Sequence, residues 1–287
     1  MPVLYVVATP IGNLGDISQR ALCVLSEVKL IAAEDTRKTK RLLATYDIKT
    51  PMTSYHEHNE QSKLDYLLSY LEEGDVALVS EAGMPGMSDP GYELIMAASQ
   101  QGIPVVPVPG PSAIITALVI SGLPTDRFLY IGFLPRKTGA RQRLLESVAH
   151  EYGTIIALES PHRLPATLND ILLTLGDRKI AVCRELTKIH EEVFRGTLSQ
   201  SIKHFTQPRG EFTLVIEGNR EKEKPQLTAD IEKRLNYMYL SGVTAKEATA
   251  RVAGETGLSR KELYQAWLRL DKTWNTKKES CQSLERS

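Results

Sequence analysis

The chain repeatedly follows a short apolar run with a turn rich in glycine, proline and aspartate. The first run, Val3–Ala8, is apolar along its whole length, as expected of a parallel strand covered on both faces. Segments with helical periodicity separate it from the next runs, which are Leu30–Ala33, Val76–Val79 and Ile103–Val108. Strands and helices therefore alternate along residues 1–122, and this order predicts a mostly parallel sheet in an α/β domain.

Local signals also predict where several helices begin and end. Capping residues and prolines near the N-terminus, and glycine at the C-terminus, are typical of helix ends because they satisfy or tolerate unpaired backbone groups. Asp16, followed three residues later by Gln19, resembles a capping box. The signals predict helix starts at Asp16, Asn59 and Ser160-Pro161, and helix ends at Gly74 and Gly176.

A second unit and a helical tail follow the first domain. Further apolar runs predict strands at Phe128–Gly132, Thr154–Leu158, Ile180–Cys183 and Phe212–Ile216. Beyond a charged linker, two capping boxes begin at Thr244 and Ser259 and predict either a helix-turn-helix pair or a helical cap. We therefore expect α/β domains at 1–122 and 123–220, and a linker with a C-terminal helical domain at 221–287.

The charge balance excludes one way of binding nucleic acid. The chain has 35 lysines and arginines against 35 aspartates and glutamates, so its formal net charge is zero. A protein that bound RNA over its whole surface would be strongly basic, because neutralising phosphates supplies most of that affinity. Any RNA contact must therefore come from local basic patches.

Cysteine usage, hydropathy and histidine spacing narrow the class further. The three cysteines are far apart in sequence, which predicts a reduced, cytoplasmic protein. The uncharged stretch Leu94–Thr125 is long enough to cross a bilayer, but its prolines and glycines exclude one continuous helix. The close histidine pair His56 and His58 has no third ligand at metal-site spacing. We expect neither a membrane segment nor a metal.

Turns rich in glycine and proline stand where the predicted parallel strands end. Ligands of open α/β sheets bind outside the carboxyl ends of the strands, where glycine lets the backbone approach closely. Several such turns on one sheet predict a cleft for a small molecule. The turns are Thr9–Asp16, Ser80–Pro85, Ser88–Gly91 and Val108–Ala113.

Nine sequence strings, in a fixed order, resemble one protein family. It is the bacterial small-subunit rRNA (cytidine-2′-O)-methyltransferase family, within the tetrapyrrole-methylase superfamily. The likeness extends over residues 2–218 and more loosely through the tail. The strings are T-P-I-G-N-L-G-D from Thr9, A-E-D-T-R from Ala33, H-E-H-N-E from His56, S-E-A-G-M-P from Ser80 with S-D-P-G from Ser88, V-P-G-P-S-A from Val108, G-F-L-P from Gly132, E-S-P-H-R from Glu159, R-E-L-T-K from Arg184 and G-E-F-T-L-V-I-E-G from Gly210.

The resemblance implies a fold, a cofactor and a substrate. The fold would be two α/β domains of the tetrapyrrole-methylase (class III S-adenosylmethionine methyltransferase) type with a small helical domain, usually as a homodimer. The substrate would be a cytidine ribose 2′-hydroxyl in the decoding region of small-subunit rRNA, either naked or within the 30S subunit. S-adenosylmethionine would bind between the α/β domains at Pro10, Ile11, Gly12, Gly83, Met84, Pro85, Ser112, Ala113 and Leu158.

Three positions depart from the pattern of the resembled family. Glu81 stands where the family usually has aspartate, Met84 where it has threonine, and Leu158 where it has tyrosine. Met84 removes a hydroxyl and Leu158 removes a ring from the expected cofactor contacts. The other turns keep the pattern, so we expect methyltransferase activity to be retained.

Charged side chains at the predicted strand ends are the candidates for catalysis. Methyl transfer from a sulfonium to a ribose hydroxyl is an in-line displacement, and a base or a nearby cation assists the weakly acidic hydroxyl. The preferred pair is Asp35 and Glu185, as proton-accepting or orienting groups. For every candidate, a structural salt bridge or a helix N-cap is the competing interpretation. The full set is Glu34, Asp35, Glu159, Glu185 and Lys188.

Two compact basic runs, Thr36–Arg41 and Pro135–Arg143, supply the positive charge that RNA binding needs. Each directly follows one of the family strings, which favours a position beside the cleft. The alternative is a solvated charged face without a partner. The runs predict phosphate contacts from Arg37, Lys38, Arg41, Arg136, Lys137 and Arg141.

Two other functions stay open at the level of sequence. A tetrapyrrole-type methyltransferase would use the same cofactor on a small acidic macrocycle, but the basic runs and the helical tail argue against it. A non-catalytic RNA- or ribosome-binding module with a decayed cofactor pocket is supported only by Met84 and Leu158. The rRNA methyltransferase is therefore the leading hypothesis.

Overall fold

The computed structural model describes residues 1–219 and 227–270. Contacts divide the chain into two compact units, Met1–Asn219 and Arg220–Ser287, and each is described by itself. The expected linker at 221–225 lies outside the described residues. The first unit contains two sheets, which we call the first lobe (residues 1–122) and the second lobe (residues 123–219).

The first lobe is built on one sheet of five strands in the order β3-β2-β4-β1-β5. All neighbouring pairs are parallel, which confirms the expected parallel sheet. Val7, Val79 and Val108 are register partners, so the turns after β1, β4 and β5 begin at the same edge. The strands are β1 (Leu4–Val7), β2 (Leu30–Ala33), β3 (Met52–Ser54), β4 (Val76–Val79) and β5 (Val105–Val108).

Helices of the first lobe connect these strands; the start predicted at Asp16 is wrong, and the start predicted at Asn59 is confirmed without the expected side-chain cap. The first helix is capped by Ser18, which accepts from the Ala21 amide, while Asp16 ends a preceding 3-10 turn. Asn59 precedes its helix as expected, but its side chain accepts from the His56 amide and makes no cap. The helices are α1 (Gln19–Glu27), α2 (Thr36–Thr45), α3 (Glu60–Glu73), α4 (Tyr92–Gln100) and α5 (Ala113–Ile120).

The second lobe has a mixed sheet in the order β6-β7-β10-β8-β9. Only β6 and β7 run parallel, and the remaining neighbours are antiparallel. The helix predicted to start at Ser160-Pro161 begins at Leu164 instead, after a turn. The elements are β6 (Phe128–Phe133), α6 (Thr138–Ser147), β7 (Thr154–Glu159), α7 (Leu164–Leu175), β8 (Lys179–Arg184), β9 (Glu192–Thr197), α8 (Leu198–His204) and β10 (Phe212–Ile216).

Helix α5 joins the two lobes through a shared apolar cluster. Ala117 and Leu118 of this helix pack in one cluster with Ile156 of β7 and Val215 of β10. Side chains of a strand alternate between faces, so the neighbouring Ile155 belongs to the opposite face, which packs in a separate core. The carboxyl edge of the first sheet therefore faces residues of the second lobe.

The described part of the C-terminal unit, residues 227–270, is helical, as expected. Thr244 accepts from the Glu247 amide, and Ser259 and Glu262 form a reciprocal capping box, which confirms both predicted helix starts. Gly257 adopts the left-handed conformation in the turn between the last two helices. The helices are α9 (Ala229–Leu240), α10 (Ala245–Thr256) and α11 (260–270), and they enclose their own apolar core.

Two searches of the described residues bear on function. No helix among them combines the length and the apolar character needed to span a bilayer. Within the same ranges, no group of three or more histidine, cysteine, aspartate or glutamate side chains could hold a metal ion.

Candidate active site

The turns after β1 and β4 are hydrogen-bonded to each other. The Thr9 amide donates to the Gly83 carbonyl at 2.9 Å, and the Gly83 amide donates to the Thr9 carbonyl at 3.0 Å. The buried Thr9 hydroxyl also donates to the Ser80 carbonyl at 3.3 Å. Two of the turns predicted to bind a cofactor therefore form one connected backbone surface.

The turn after β5 meets this surface at Gly83. The backbone of Gly83 has a φ of +81°, which favours glycine, and a β-carbon there would lie 3.6 Å from Ile11 Cγ2 and 3.8 Å from the Pro111 carbonyl. Ser112 caps α5 by accepting from the Ile115 amide at 3.4 Å. Three of the predicted turns thus converge at Gly83.

A turn of the second lobe closes against the first of these turns. The Asn13 amide donates to the Thr187 hydroxyl at 3.0 Å. A β-carbon at Gly12 would lie 2.5 Å from Lys188 Cγ and 2.9 Å from the Leu186 carbonyl, so only glycine fits without movement. The backbone at Glu185 and Thr187 has positive φ, of 50° and 66°. Strain of this kind in non-glycine residues is typical of functional sites.

Glu185 and Lys188 lie together in this strained turn. The Lys188 ammonium donates to Glu185 and to Glu211, at 3.0 Å each. Burial by itself would raise the pKa of Glu185, but the Glu211 amide and Lys188 outweigh it and hold the pKa below its usual value. Burial would lower the pKa of Lys188, but the carboxylates of Glu211 and Glu185 outweigh it and raise that pKa. Both groups therefore stay ionised at neutral pH.

Asp35 is the N-cap of α2. Its carboxylate accepts from the Arg37 amide at 2.8 Å and the Lys38 amide at 3.3 Å, and it pairs with the Arg37 guanidinium at 3.2 Å. The side-chain bond to Arg37, followed by the bond to its amide, holds the pKa of Asp35 below its usual value. Asp35 is therefore a helix N-cap, which was the competing interpretation of this residue. The lowered pKa of Asp35 also makes it a weak proton acceptor.

Glu34 and Glu81 connect β2 with the turn after β4. The Glu34 carboxylate accepts from the Glu81 amide at 2.8 Å. The Glu81 carboxylate forms an ion pair with Lys38, at the start of α2. Glu34 therefore stabilises the turn that contains Gly83, and Lys38, predicted to contact RNA, lies beside that turn.

Asp89 is a further carboxyl group of this edge that the sequence analysis does not single out. Burial, together with the negative charges of Glu34 and Glu81, raises the pKa of Asp89 to about 7, and the Ser80 hydroxyl opposes this only in part. A carboxyl group that titrates near neutral pH can exchange a proton under working conditions, which is typical of active sites. Its sequence signal is weak, because aspartate before proline is common in ordinary turns.

Leu158 and Glu159, the last two residues of β7, lie on opposite faces of the strand. Leu158 is half-buried and lies on the same strand face as Ile156, which packs against the first lobe. Glu159 lies on the opposite face, 2% exposed, and accepts from Arg163 and from the Thr167 hydroxyl at 2.6 Å. Glu159 is therefore a buried anchor of α7, which corrects its candidacy for catalysis.

The residues predicted to contact RNA differ in their exposure to solvent. Arg41, Arg136 and Lys137 are exposed. Arg141 is 4% exposed and donates to Asp170 of α7 at 2.7 Å and to the Pro135 carbonyl at 3.2 Å. Arg141 thus supports the basic loop from beneath, which corrects the expectation of a phosphate contact.

Comparison with known proteins identifies the family. The profile of the tetrapyrrole (corrin/porphyrin) methylases matches residues 3–201. The chain belongs to the tetrapyrrole methylase family. Among similar proteins, ribosomal RNA small subunit methyltransferase I of Synechocystis sp. is 49% identical over 276 residues, covering 94% of this chain and 99% of that protein. The protein of the same name from Thermotoga maritima is 50% identical over 221 residues, covering 76% of this chain and 99% of that protein.

Solved structures agree on the fold of this tetrapyrrole methylase. Uroporphyrin-III C-methyltransferase from Thermus thermophilus, complexed with S-adenyl homocysteine, superimposes with a TM-score of 0.55 at 19% identity. The match covers 76% of this chain and 97% of that one. Both the two-lobed α/β fold and the methyltransferase class of the chain follow from these relationships.

Proposed function

We propose that this tetrapyrrole methylase transfers a methyl group from S-adenosylmethionine to the ribose 2′-hydroxyl of a cytidine in the decoding region of small-subunit rRNA. The names of relatives at 49% and 50% identity support the RNA part of this proposal. The observation that carries the chemistry is Asp89, whose carboxyl titrates near neutral pH beside the converging turns. An rRNA substrate also implies a cytoplasmic enzyme.

The converging turns fit S-adenosylmethionine. The turns that meet at Gly83 bring Ile11, Ala82 and Ala113 into one apolar cluster, and glycine at position 12 lets the turn of the second lobe close against them. Turn backbone beside small apolar side chains suits the adenosine of the cofactor, whose ring has apolar faces and a polar edge. When bound, the cofactor supplies a methyl group made electrophilic by a positively charged sulfur. Its proposed contacts are Pro10, Ile11, Gly12, Gly83, Met84, Pro85, Ser112, Ala113 and Leu158.

Asp89 is the proposed general base. Its carboxylate accepts the proton that the ribose hydroxyl loses as the oxygen attacks, and a pKa near 7 makes it a better acceptor than Asp35 or Glu185, whose pKa values are lowered. Lys188, held between the carboxylates of Glu185 and Glu211, orders the turn that closes against Gly12. Glu34 supports the neighbouring turn through the Glu81 amide.

Two exposed basic segments are the proposed RNA contacts. Arg37 and Arg41 lie on α2, and Lys38 reaches Glu81 at the edge of the cleft. Arg136 and Lys137 follow β6, and the buried Arg141 fixes this loop by donating to the Pro135 and Arg136 carbonyls. Local patches of this kind reconcile RNA binding with a net charge of zero, because only a few phosphates are contacted.

A second copy of the chain is the proposed partner of α5. Its sequence is uncharged, and Ile115 and Val119, one helical turn apart, are 48% and 67% exposed. Apolar side chains exposed on one helix face favour burial in a protein interface. Sedimentation should therefore show a dimer, and Val119→Glu should shift it to the monomer; a monomeric wild-type chain would contradict the proposal.

A direct test uses the RNA itself. Small-subunit rRNA from a strain with the gene, and from its deletion, is digested, and each 2′-O-methylcytidine is mapped by mass spectrometry. We expect one such mark to disappear on deletion and to return when the gene is supplied. An unchanged set of marks would overturn the proposed substrate. Assays with naked rRNA and with 30S subunits then show which of them is methylated.

The base and the cofactor are tested separately. Asp89→Asn should lower the methylation rate about 10²- to 10⁴-fold while calorimetric binding of S-adenosylmethionine persists. An unchanged rate in Asp89→Asn would remove the general base from the mechanism. If the wild-type chain did not bind the cofactor at all, a non-catalytic RNA-binding module would be favoured.

A further inference from the structure

Tyr130 of the second lobe forms a hydrogen bond with the residue that precedes Asp89. The Tyr130 and Ser88 hydroxyl oxygens are 2.6 Å apart. Ser88 has a φ of +65°, a conformation that is unfavourable for a serine and needs support from its surroundings. The bond to Tyr130 supplies support from outside the first lobe.

A β-bulge shapes β6 for this contact. Tyr130 is the register partner of Ile156, and Phe133 is the partner of Leu158, so β6 has one extra residue between these pairs. Gly132, within the bulge, has a φ of +66°, and a β-carbon there would lie 3.3 Å from the Ser88 hydroxyl oxygen. β6 therefore bends at Gly132, where it has no side chain, and the Ser88 turn packs against it there.

The groups that face Asp89 come from several elements. Glu34 at the end of β2 and Glu81 after β4 act on it through their negative charge, and the Ser80 hydroxyl favours its ionised form. Tyr130 approaches from β6, and its own pKa is raised by burial and by the charge of Asp89, against the bond to Ser88. The charge of Asp89 thus acts on Tyr130 across the two lobes.

We infer that Tyr130 is a positioning residue for Asp89: through the Ser88 hydroxyl, it holds the Ser88–Gly91 turn so that the carboxyl stays half-buried and within the influence of the Glu34 charge. This inference rests on the proposed role of Asp89 in methyl transfer. It makes the proton acceptor dependent on contact between the lobes, because Tyr130 belongs to β6 of the second lobe and Asp89 to the turn before α4 of the first. Loss of the phenol hydroxyl releases the turn, admits water to the carboxyl and returns Asp89 toward ordinary aspartate behaviour.

The first experiment measures the titration midpoint of the Asp89 carboxyl and needs no assay of activity. Infrared titration follows the protonated-carboxyl band that is present in the wild-type chain and absent from Asp89→Asn. In Tyr130→Phe the midpoint of this band should move to lower pH by about one unit. Tyr152→Phe, which alters an exposed tyrosine of the same lobe, is the matched control and should leave the midpoint in place.

The second experiment reads catalysis. In Tyr130→Phe the turnover number should fall about 10-fold or more. The acid limb of the pH profile should follow the infrared midpoint, and the KM for S-adenosylmethionine should stay unchanged. Ser88→Ala should give the same effects, and the double variant should be no worse than either single one, because both changes remove one bond.

The outcomes separate the two proposals. A wild-type chain without RNA methylation would sink the proposed function, while the infrared shift in Tyr130→Phe would still establish the positioning role. Conversely, an active enzyme whose infrared midpoint and acid limb are the same in Tyr130→Phe and wild type would overturn the inference about Tyr130. Additive effects of Tyr130→Phe and Ser88→Ala would overturn it as well.

Discussion

Gly12 lies directly against Lys188, although 175 residues separate them in sequence: a β-carbon at position 12 would come within 2.5 Å of Lys188 Cγ. The first cofactor-type turn and the strained turn of the second lobe are therefore in contact without space between them. The Asn13 amide, bonded to the Thr187 hydroxyl at 3.0 Å, adds a polar link at the same place. Glycine at position 12 is thus a requirement of the contact between lobes.

Replacing this glycine should separate the two turns. Gly12→Ala places its methyl group against the Leu186 carbonyl, 2.9 Å away, which is backbone and cannot rotate aside. We expect a loss of about 1–3 kcal/mol in the free energy of unfolding and weaker calorimetric binding of S-adenosylmethionine. Gly15→Ala, in the same loop, meets only the Asn13 side chain at 3.3 Å and is the control. Equal cofactor affinity in Gly12→Ala and Gly15→Ala would contradict this account of the contact.

Asp89 should make the stability of the fold depend on pH. The folded chain keeps a proton on Asp89 up to about pH 7, whereas an unfolded aspartate releases it near 3.8. Between these values the folded state binds more protons, so this group lowers stability as pH rises through the interval. Asp89→Asn removes the effect. Its melting temperature should exceed that of the wild type at about pH 8, and the difference should vanish below about pH 4.

Calorimetry across this range, with the exposed Asp65→Asn as control, checks the prediction. The control should track the wild type at every pH. A melting temperature of Asp89→Asn that lies below the wild-type value at all pH values would show that Asp89 stabilises the fold as an anion, against the sign derived from its raised pKa.

The basic loop should separate stability from RNA binding. Arg141→Ala leaves Asp170 buried without its partner, and we expect a loss of about 3–5 kcal/mol in the free energy of unfolding. Arg136→Ala with Lys137→Ala should leave the melting temperature unchanged. This pair should weaken binding to small-subunit rRNA and reduce the salt slope by about one for each phosphate that the loop no longer neutralises.

Filter binding at several salt concentrations measures the second effect, and denaturant unfolding measures the first. An unaltered salt slope in the double variant would assign Arg136 and Lys137 to a solvated face. If Arg141→Ala kept its stability, the buried ion pair would have no structural role.

The hydroxyl of Tyr55 should be dispensable for stability. The side chain is fully buried, burial raises the pKa of Tyr55 to about 12, and its hydroxyl has no hydrogen-bond partner of normal geometry among the described residues. A buried hydroxyl without a partner is unfavourable, so Tyr55→Phe should be neutral or stabilising. Tyr46→Phe, which removes a 2.7 Å bond to the Leu14 carbonyl, should cost about 1 kcal/mol. Denaturant unfolding of both variants measures these changes. A larger loss in the free energy of unfolding for Tyr55→Phe than for Tyr46→Phe would contradict the prediction.

The alternation of strands with helices and the position of the glycine-rich turns could be predicted from sequence because both depend on short-range patterns, although β3 (Met52–Ser54) has no apolar run and is not predicted. The run Val76–Val79 is apolar at every position, and this by itself indicates a strand buried on both faces. The glycine in the turn that follows is likewise visible in the local sequence. Capping residues such as Thr244 and Ser259 act on amides three residues away. Each of these signals fits within one stretch of chain.

Local patterns gave a wrong prediction where two possible capping residues lie close together in sequence. Asp16 and Ser18 are both good caps, and only the 3-10 turn that ends at Asp16 assigns the helix start to Ser18. The edge strand Glu192–Thr197 contains charged and polar residues in place of an apolar run, so no strand is predicted there. Edge strands need burial on fewer sides, which weakens their sequence signal.

Sequence by itself determined the α/β architecture, the family resemblance and the set of turns that could surround a cofactor. Only the tertiary structure decided which charged residues are available there, because the pKa of a side chain depends on neighbours that are distant along the chain. Burial and the charge of Glu34, which follows β2, raise the pKa of Asp89 to about 7, whereas Asp170 of the next helix holds Arg141 away from the surface. Burial and charge act through space, and the chain brings these residues together only when it folds.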